Sequence, residues 1–376
     1  MAEMKRSLTT IAFCVALVLT GCGGGTGPAT SPPPATSASA PPVTTSKPLP
    51  STPVRPTSVT LNPLTLSTLP PDAPAGQTTE FYDRHFIWEF EDITWNWDVK
   101  ISEALFRYYK AIPRAKTDNY SIYITYKQDD AMMKEAADEI LRAAQSVGLS
   151  KIETADMTAA FVQSLPYTLD IKTTGFEEYP KYPIETLVDS CGDCEDKSAL
   201  LVSLLQSMGY ETVLIIFPGV HGAVGIKRLE GMNGAYYEYN GARYYYIETT
   251  DAGWQIGEIP NNYIGLKPTF LEIKPVPVLV HEFKASGSGS NLEVTVDVEN
   301  LGTEDAPEVI VTIGFDDGND KIINSKEAPK FALPQNQKKS VSLFVQSPAG
   351  KHTRLIIEIK AGTDVTRSYS DWFDSP

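Results

Sequence analysis

The sequence predicts an α+β fold, with helices packed on an antiparallel sheet in one domain and an all-β sandwich after it. Three observations carry this reading. Between residues 130 and 208, apolar side chains recur at i, i+3, i+4 and i+7, the spacing of a one-sided helix. Between 212 and 250, short apolar and aromatic runs are separated by Pro218-Gly219 and Asn240-Gly241, both turn signals. After Pro275 a period of two takes over and helical spacing disappears.

From the N-terminus, Lys5 and Arg6 precede an apolar run, Leu8–Leu19, too short to span a bilayer and flanked like a secretory signal. Leu19-Thr20-Gly21-Cys22 follows, and this box resembles the prokaryotic lipoprotein signal. The resemblance implies removal of residues 1–21, lipidation of Cys22 and an extracytoplasmic, membrane-anchored chain. Residues 22–76 are dense in Pro, Ser, Thr and Ala and read as an extended tether that buries no core. Fully stretched, such a segment reaches on the order of 100 Å.

Residues 77–275 form the first expected domain. Its lead-in, Phe81–Tyr126, carries Trp88, Trp95 and Trp97 and ends in an alternating strand, Tyr120–Tyr126. Those aromatics belong in a core, with a substrate groove as the alternative. Helices follow over Asp130–Val147, stopped by Gly148, and Thr154–Leu165, stopped by Pro166. Residues 276–376 are the second domain, with strands over Leu292–Val298, Glu308–Phe315, Lys339–Val345 and Arg354–Lys360, a pattern that suggests an immunoglobulin-like sandwich. The stretch Val298-Glu-Asn-Leu-Gly-Thr303 resembles cell-adhesion-related modules appended to prokaryotic surface enzymes. Asp316-Asp-Gly-Asn-Asp320 reads as a hairpin turn rather than a calcium loop.

The chemistry concentrates at Cys191-Gly-Asp-Cys-Glu-Asp-Lys-Ser198. Leu201, Leu204, Leu205 and Met208 define a buried helical face beyond it, so Cys194 falls at a helix N-terminus. Free N–H groups and the positive end of the helix dipole favour a thiolate there. Asp193 and Asp196 read as a capping box. The chain has four histidines, and His221 alone follows this helix directly, across the strand Thr212–Phe217 and at the head of a second strand, Gly222–Lys227. Glu248 lies near the end of the hairpin Ala235–Thr250 and can face His221 across an antiparallel ladder; Asp251, in the turn beyond, is the rival carboxylate. Cys194, His221 and Glu248 thus form a candidate nucleophile, base and orienting acid. A redox pair of Cys191 with Cys194, or metal held by Cys191, Cys194 and His221, is the alternative for the thiols. A buried strand histidine and a solvated strand end are the alternatives for the other two residues.

The order Gly-Asp-Cys-Glu-Asp on a helix, then a strand-borne His and a strand-borne acid, resembles the transglutaminase-like superfamily of papain-type cysteine enzymes. It is closest to the bacterial transglutaminase-like cysteine proteinases. The resemblance spans about residues 150–260 and includes Phe161–Asp170 and Tyr182–Leu187. It implies acyl transfer by a Cys194–His221–Glu248 triad, with peptide or isopeptide hydrolysis in a cell-envelope protein as the first expectation. Amine transfer to glutamine and a non-catalytic envelope scaffold are the alternatives. No cofactor is required on this reading, although Asp193, Glu195 and Asp196 could bind Ca²⁺, as some relatives do. Otherwise these acids point outward as caps. The formal charge of −15 argues against a nucleic-acid partner and against direct binding to anionic head groups.

Overall fold

The computed structural model describes residues 55–69 and 80–376, Lys116 excepted. Cys22, the signal and most of the expected tether lie outside the described residues. One part of the tether does not. Ser58–Thr60 (β1) and Leu64–Leu66 (β2) run parallel to β4 below, pairing with Thr94–Asn96 and Val99–Ile101 respectively. The Pro/Ser/Thr bias hid an apolar alternation: Leu61 and Leu66 are both buried in the main core. Burial of those side chains overrides a composition that favours extended, solvated chain.

The strap lies along one edge of a hairpin, Phe81–Phe90 (β3) and Ile93–Ser102 (β4), whose strands pair antiparallel along their whole length. Glu91 and Asp92 make the turn with positive φ of 53° and 57°. Trp88, Trp95 and Trp97 are buried, packed around Phe161 or on one another, so the aromatic lead-in is core. Next come Glu103–Ala111 (α1) and Ser121–Ile124 (α2). α2 replaces the expected strand over 120–126: the Asn119 side chain accepts from the Ser121 N–H and hydroxyl, which starts a helical turn, and all four residues of that turn are buried. Alternation of Tyr and Ile is uninformative in a segment buried on every side.

Asp130–Ser146 (α3) and Lys151–Ser164 (α4) match the sequence reading, and Ser150 with Glu153 closes a true capping box on α4. Asp170–Thr173 (α5) and Pro183–Asp189 (α6) lead to Cys194–Ser207 (α7). An antiparallel sheet follows, built from Thr212–Phe217 (β5), His221–Lys227 (β6), Tyr236–Tyr239 (β7), Ala242–Ile247 (β8) and Thr269–Glu272 (β9), in the order β7-β8-β6-β5-β9. β5 is apolar throughout because both faces are covered: Leu214 and Ile216 meet the helices, and Val213, Ile215 and Phe217 meet a smaller cluster with Tyr246. Asn240 and Gly241 turn β7 into β8 at φ of 49° and 75°, the left-handed values that an Asn-Gly hairpin supplies.

The C-terminal region is all β. Leu279–Ser288 (β10), Asn291–Asn300 (β11), Ala306–Asp316 (β12), Ile322–Glu327 (β13), Phe331–Leu333 (β14), Lys338–Gln346 (β15), His352–Thr353 (β16), Leu355–Ala361 (β17), Asp364–Tyr369 (β18) and Phe373–Asp374 (β19) enclose a separate core that includes Val296, Val311, Phe315 and Ile357. One sheet is β10-β11-β15, a second is β13-β12-β17-β18 with β14 also on β12, and β16 pairs with β19 as a third. Asn300 fastens the start of this region: its side-chain oxygen accepts from the Val278 and Gly302 amides, and its amide donates to the Glu304 and Leu333 carbonyls. A Cβ on Gly302 would sit 2.2 Å from the Val276 carbonyl oxygen, so only glycine lets these backbones meet. The whole is α+β with a β-rich C-terminal region, and among the described residues no helix is long and apolar enough to cross a membrane.

Candidate active site

α7 starts at Cys194 and packs against β6, whose first residue is His221. The sulfur lies close to the start of that strand: a Cβ built on Gly222 would be 3.8 Å from it. His221 is buried, its ring stacked on Tyr263 with centroids 4.4 Å apart and planes 6° from parallel. Its Nε2 meets both carboxylate oxygens of Glu248 at 3.1 Å. Nδ1 is the ring nitrogen outside that pair. β8 pairs with β6 from Val224↔Ile247 onward, so the residue just past β8 arrives beside the head of β6.

Glu248 is fixed by more than the imidazole. Its oxygens accept from the Tyr246 hydroxyl at 2.7 Å, the Thr250 hydroxyl at 2.7 Å and the Thr249 and Thr250 amides at 3.0 and 2.9 Å. Burial alone would push this carboxyl up, but His221 and these donors hold it down at about 2. It is a buried, fully hydrogen-bonded carboxylate rather than a solvated strand end. Asp251, the rival, is exposed in the turn beyond. The remaining histidines are elsewhere: His85 pairs with Asp98, His281 meets Ser368 and His352 pairs with Asp374.

The thiol itself is not poised as a thiolate. Burial, then the Glu195 and Asp193 carboxylates, push it well above its ordinary range, and Cys194 donates to Glu195 Oε2 at 3.1 Å. The acids flanking it do not point outward. Asp193 is N-terminal to α7 but caps nothing with its side chain, and Asp193 and Asp196 are buried. Burial and its neighbours Asp196, Glu195 and Asp170 raise Asp193 to about 11; burial, Asp196 and Glu178 raise Glu195 to about 7. Asp196 has a different task from the expected capping box. It takes the Lys181 amide at 2.7 Å and the Lys181 ammonium at 2.5 Å, and that ammonium also reaches Asp170 at 3.3 Å. All three side chains are fully enclosed. Gly192 makes room, since a Cβ there would lie 2.6 Å from the Asp196 Cβ.

Comparison with known proteins adds little. No protein-family model matches the chain, and no curated protein matches it. Among solved structures, a CARDB domain from Pyrococcus furiosus, crystallised with di-metal ions, is similar at 17% identity and a TM-score of 0.20, over 25% of this chain and 87% of that one. A β-glucosidase 3B from Thermotoga neapolitana is similar at 13% identity and a TM-score of 0.18, over 30% of this chain and 19% of that one. Scores of this size establish no shared fold. The site is read from its own geometry.

On that geometry, Glu248 holds His221, whose strand packs against the helix that Cys194 heads, and Cys191 and Cys194 are both free thiols. Among the described residues, the acidic cluster whose ligand atoms all lie within 4.8 Å of one another is Asp170, Asp193 and Glu195. Asp170 takes the place expected for Asp196, which Lys181 engages. Asp193 Oδ1 is buried without a hydrogen-bond partner among the described residues, an orphaned acceptor inside that cluster. Lys181 and Asp170 were missed because nothing in a Tyr-Pro-Lys-Tyr-Pro run announces a buried ammonium. Lys197 was missed too. It is fully buried one turn into α7, where burial lowers its ammonium to about 8 despite Asp251 and Glu248 nearby.

Proposed function

We propose that the chain is an extracytoplasmic lipoprotein, anchored through Cys22, that performs cysteine-dependent acyl transfer in a transglutaminase-like, papain-type domain. Hydrolysis of a peptide or isopeptide bond in a cell-envelope protein is its reaction, and the immunoglobulin-like C-terminal region holds the enzyme on its target. The observation that supports this most strongly is the His221–Glu248 pair: a doubly bonded Nε2 fixes the ring and leaves Nδ1 for a thiol heading the adjacent helix.

Nδ1 removes the thiol proton as sulfur attacks the carbonyl carbon. The oxyanion is met by the Cys194 N–H at the free N-terminus of α7. His221 then delivers its proton to the leaving amine, and water releases the acyl group by the reverse route. Glu248 stabilises the imidazolium that forms in between.

The raised thiol has a remedy in the same cluster. Asp170, Asp193 and Glu195 fit a hard divalent cation such as Ca²⁺: three carboxylates converge and one buried oxygen lacks a donor. A bound cation supplies positive charge that neutralises Asp193 and Glu195, the two carboxylates that disfavour the thiolate. A second reading, an idle site on a scaffold lipoprotein, is favoured by that same disfavoured thiolate if no cation binds.

Thiol alkylation between pH 5 and 9, mapped by mass spectrometry with and without Ca²⁺, separates the two. Faster modification of Cys194 with Ca²⁺, with Cys191 lagging and the rate falling at least about tenfold in His221→Ala, supports the enzyme. Equal, His221-independent modification of both cysteines supports the scaffold. Incorporation of a primary amine into glutamine, in place of release of a new amino terminus, would convert hydrolase to crosslinker.

A further inference from the structure

Three residues beyond the candidate nucleophile stands a side chain that the proposed chemistry does not use. Lys197 is wholly enclosed, and its ammonium is met by three backbone carbonyls: Leu165 at 2.6 Å, Thr250 at 2.9 Å and Gln163 at 3.3 Å. An ammonium has three protons, so every donor is used. Two of the carbonyls close α4, where a helix leaves orphaned acceptors at its negative end. The third lies two residues past Glu248. Among the described residues no carboxylate bonds this ammonium; its partners are all main chain.

The neighbours extend the arrangement. The Gln163 side chain donates to the Glu248 and Trp254 carbonyls at 2.9 Å each and accepts from the Gly253 amide at 3.2 Å. Ser198 Oγ meets Thr249 Oγ1 at 3.2 Å and the Gly222 carbonyl at 3.5 Å. The segment 248–254, which carries the orienting carboxylate, is thus tied to α4 by Gln163 and to α7 by Lys197 and Ser198. A methionine would fill the same space without the cost of drying a charge. What it could not do is hold two loops at fixed distances from one point on the Cys194 helix.

We propose that Lys197 is a positioning residue that clamps the Glu248–Thr250 turn and the end of α4 to the Cys194 helix, so that acid, imidazole and thiol keep one mutual geometry. The inference rests on the Cys194–His221–Glu248 reading for its functional consequence, and on the carbonyl cage for the clamp itself. It makes the turn's position, rather than the stability of the fold, depend on the ammonium.

The test is a double-mutant cycle on the full chain, read as Cys194 alkylation rate with Ca²⁺ present. In the parent, His221→Ala slows modification at least about tenfold; in Lys197→Met, adding His221→Ala changes the rate less than about twofold. Retention of the full His221 dependence in Lys197→Met would overturn the proposal. Amide hydrogen exchange over 249–254 reads the clamp independently: it accelerates at least about tenfold in Lys197→Met while the amides of β5 and β6 stay protected, and unchanged exchange overturns the proposal. Parent alkylation that ignores His221 sinks the triad reading instead, and exchange still decides the clamp. Should Lys197→Met fail to fold, Gln163→Leu is measured in the same way; it severs the parallel tie and is expected to loosen 253–254 and weaken the His221 dependence, whereas rigid loops in that variant would count against the clamp.

Discussion

The two cores of this molecule treat charge in opposite ways. Around α7 the interior encloses Asp170, Lys181, Glu185, Asp193, Asp196, Lys197, His221 and Glu248, all buried. In the β-rich C-terminal region the buried acids are Asp316 and Glu358, and each is answered at the rim by an arginine, Arg354 and Arg367 respectively. Ions taken out of water cost several kcal/mol apiece unless closely matched, so a fold carries them where geometry requires it. The core of that C-terminal region is built largely on Val, Ile and Phe. The helical unit spends stability on oriented charge, and that asymmetry marks the region where the proposed chemistry is placed.

The contrast can be broken in order of effect. Cys194→Ser should lower acyl-transfer turnover at least about a thousandfold with the melting temperature nearly unchanged, measured by release of a peptide product. Lys181→Met leaves Asp170 and Asp196 enclosed without their cation and should cost about 3–5 kcal/mol in denaturant unfolding. Glu248 has its pKa lowered from 4.5 to about 2, so its contribution is complete above about pH 4.5 and is lost as pH falls toward 2. That difference amounts to about 3 kcal/mol, which Glu248→Gln should remove from the acid limb of the stability profile. Asp320→Asn, at the exposed pair with Arg367, should change stability by less than about 1 kcal/mol. A cost for Asp320 matching that for Lys181 would erase the distinction between the two regions.

Much of this was legible in the residues. The period-two strands after 291, the Asn240-Gly241 hairpin and the helix beginning at Cys194 follow from local patterns that tertiary packing then reinforces. That Cys194, His221 and Glu248 fall on neighbouring elements could be read because helix and strands are consecutive in sequence. What escaped depends on distance. The Lys181 ammonium is 15 residues from Asp196, and Lys197 binds carbonyls 32 and 53 residues away. Backbone acceptors carry no signature in a sequence. The direction of Asp193 and Asp196 was misjudged for a related reason: a cap and a buried ion pair use the same residue at the same place, and only Lys181 distinguishes them. The strap at 58–66 was hidden because three leucines and a valine are too sparse to show through the surrounding Pro, Ser and Thr.

That strap has a mechanical meaning. β1 and β2 lie along the free edge of β4 and parallel to it, with the Leu61 amide on the Asn96 carbonyl and the Asn62 carbonyl taking the Trp97 indole N–H. Tension applied to the chain ahead of Ser58 is therefore delivered along a strand axis, where the backbone bonds of the strap share the load in shear instead of opening one at a time. A protein held by its N-terminal side against flow, or against a substrate fixed in a wall, would feel the pull at the hairpin, which belongs to a different sheet from the one that carries His221. Force can be borne there while the reactive groups stay in register.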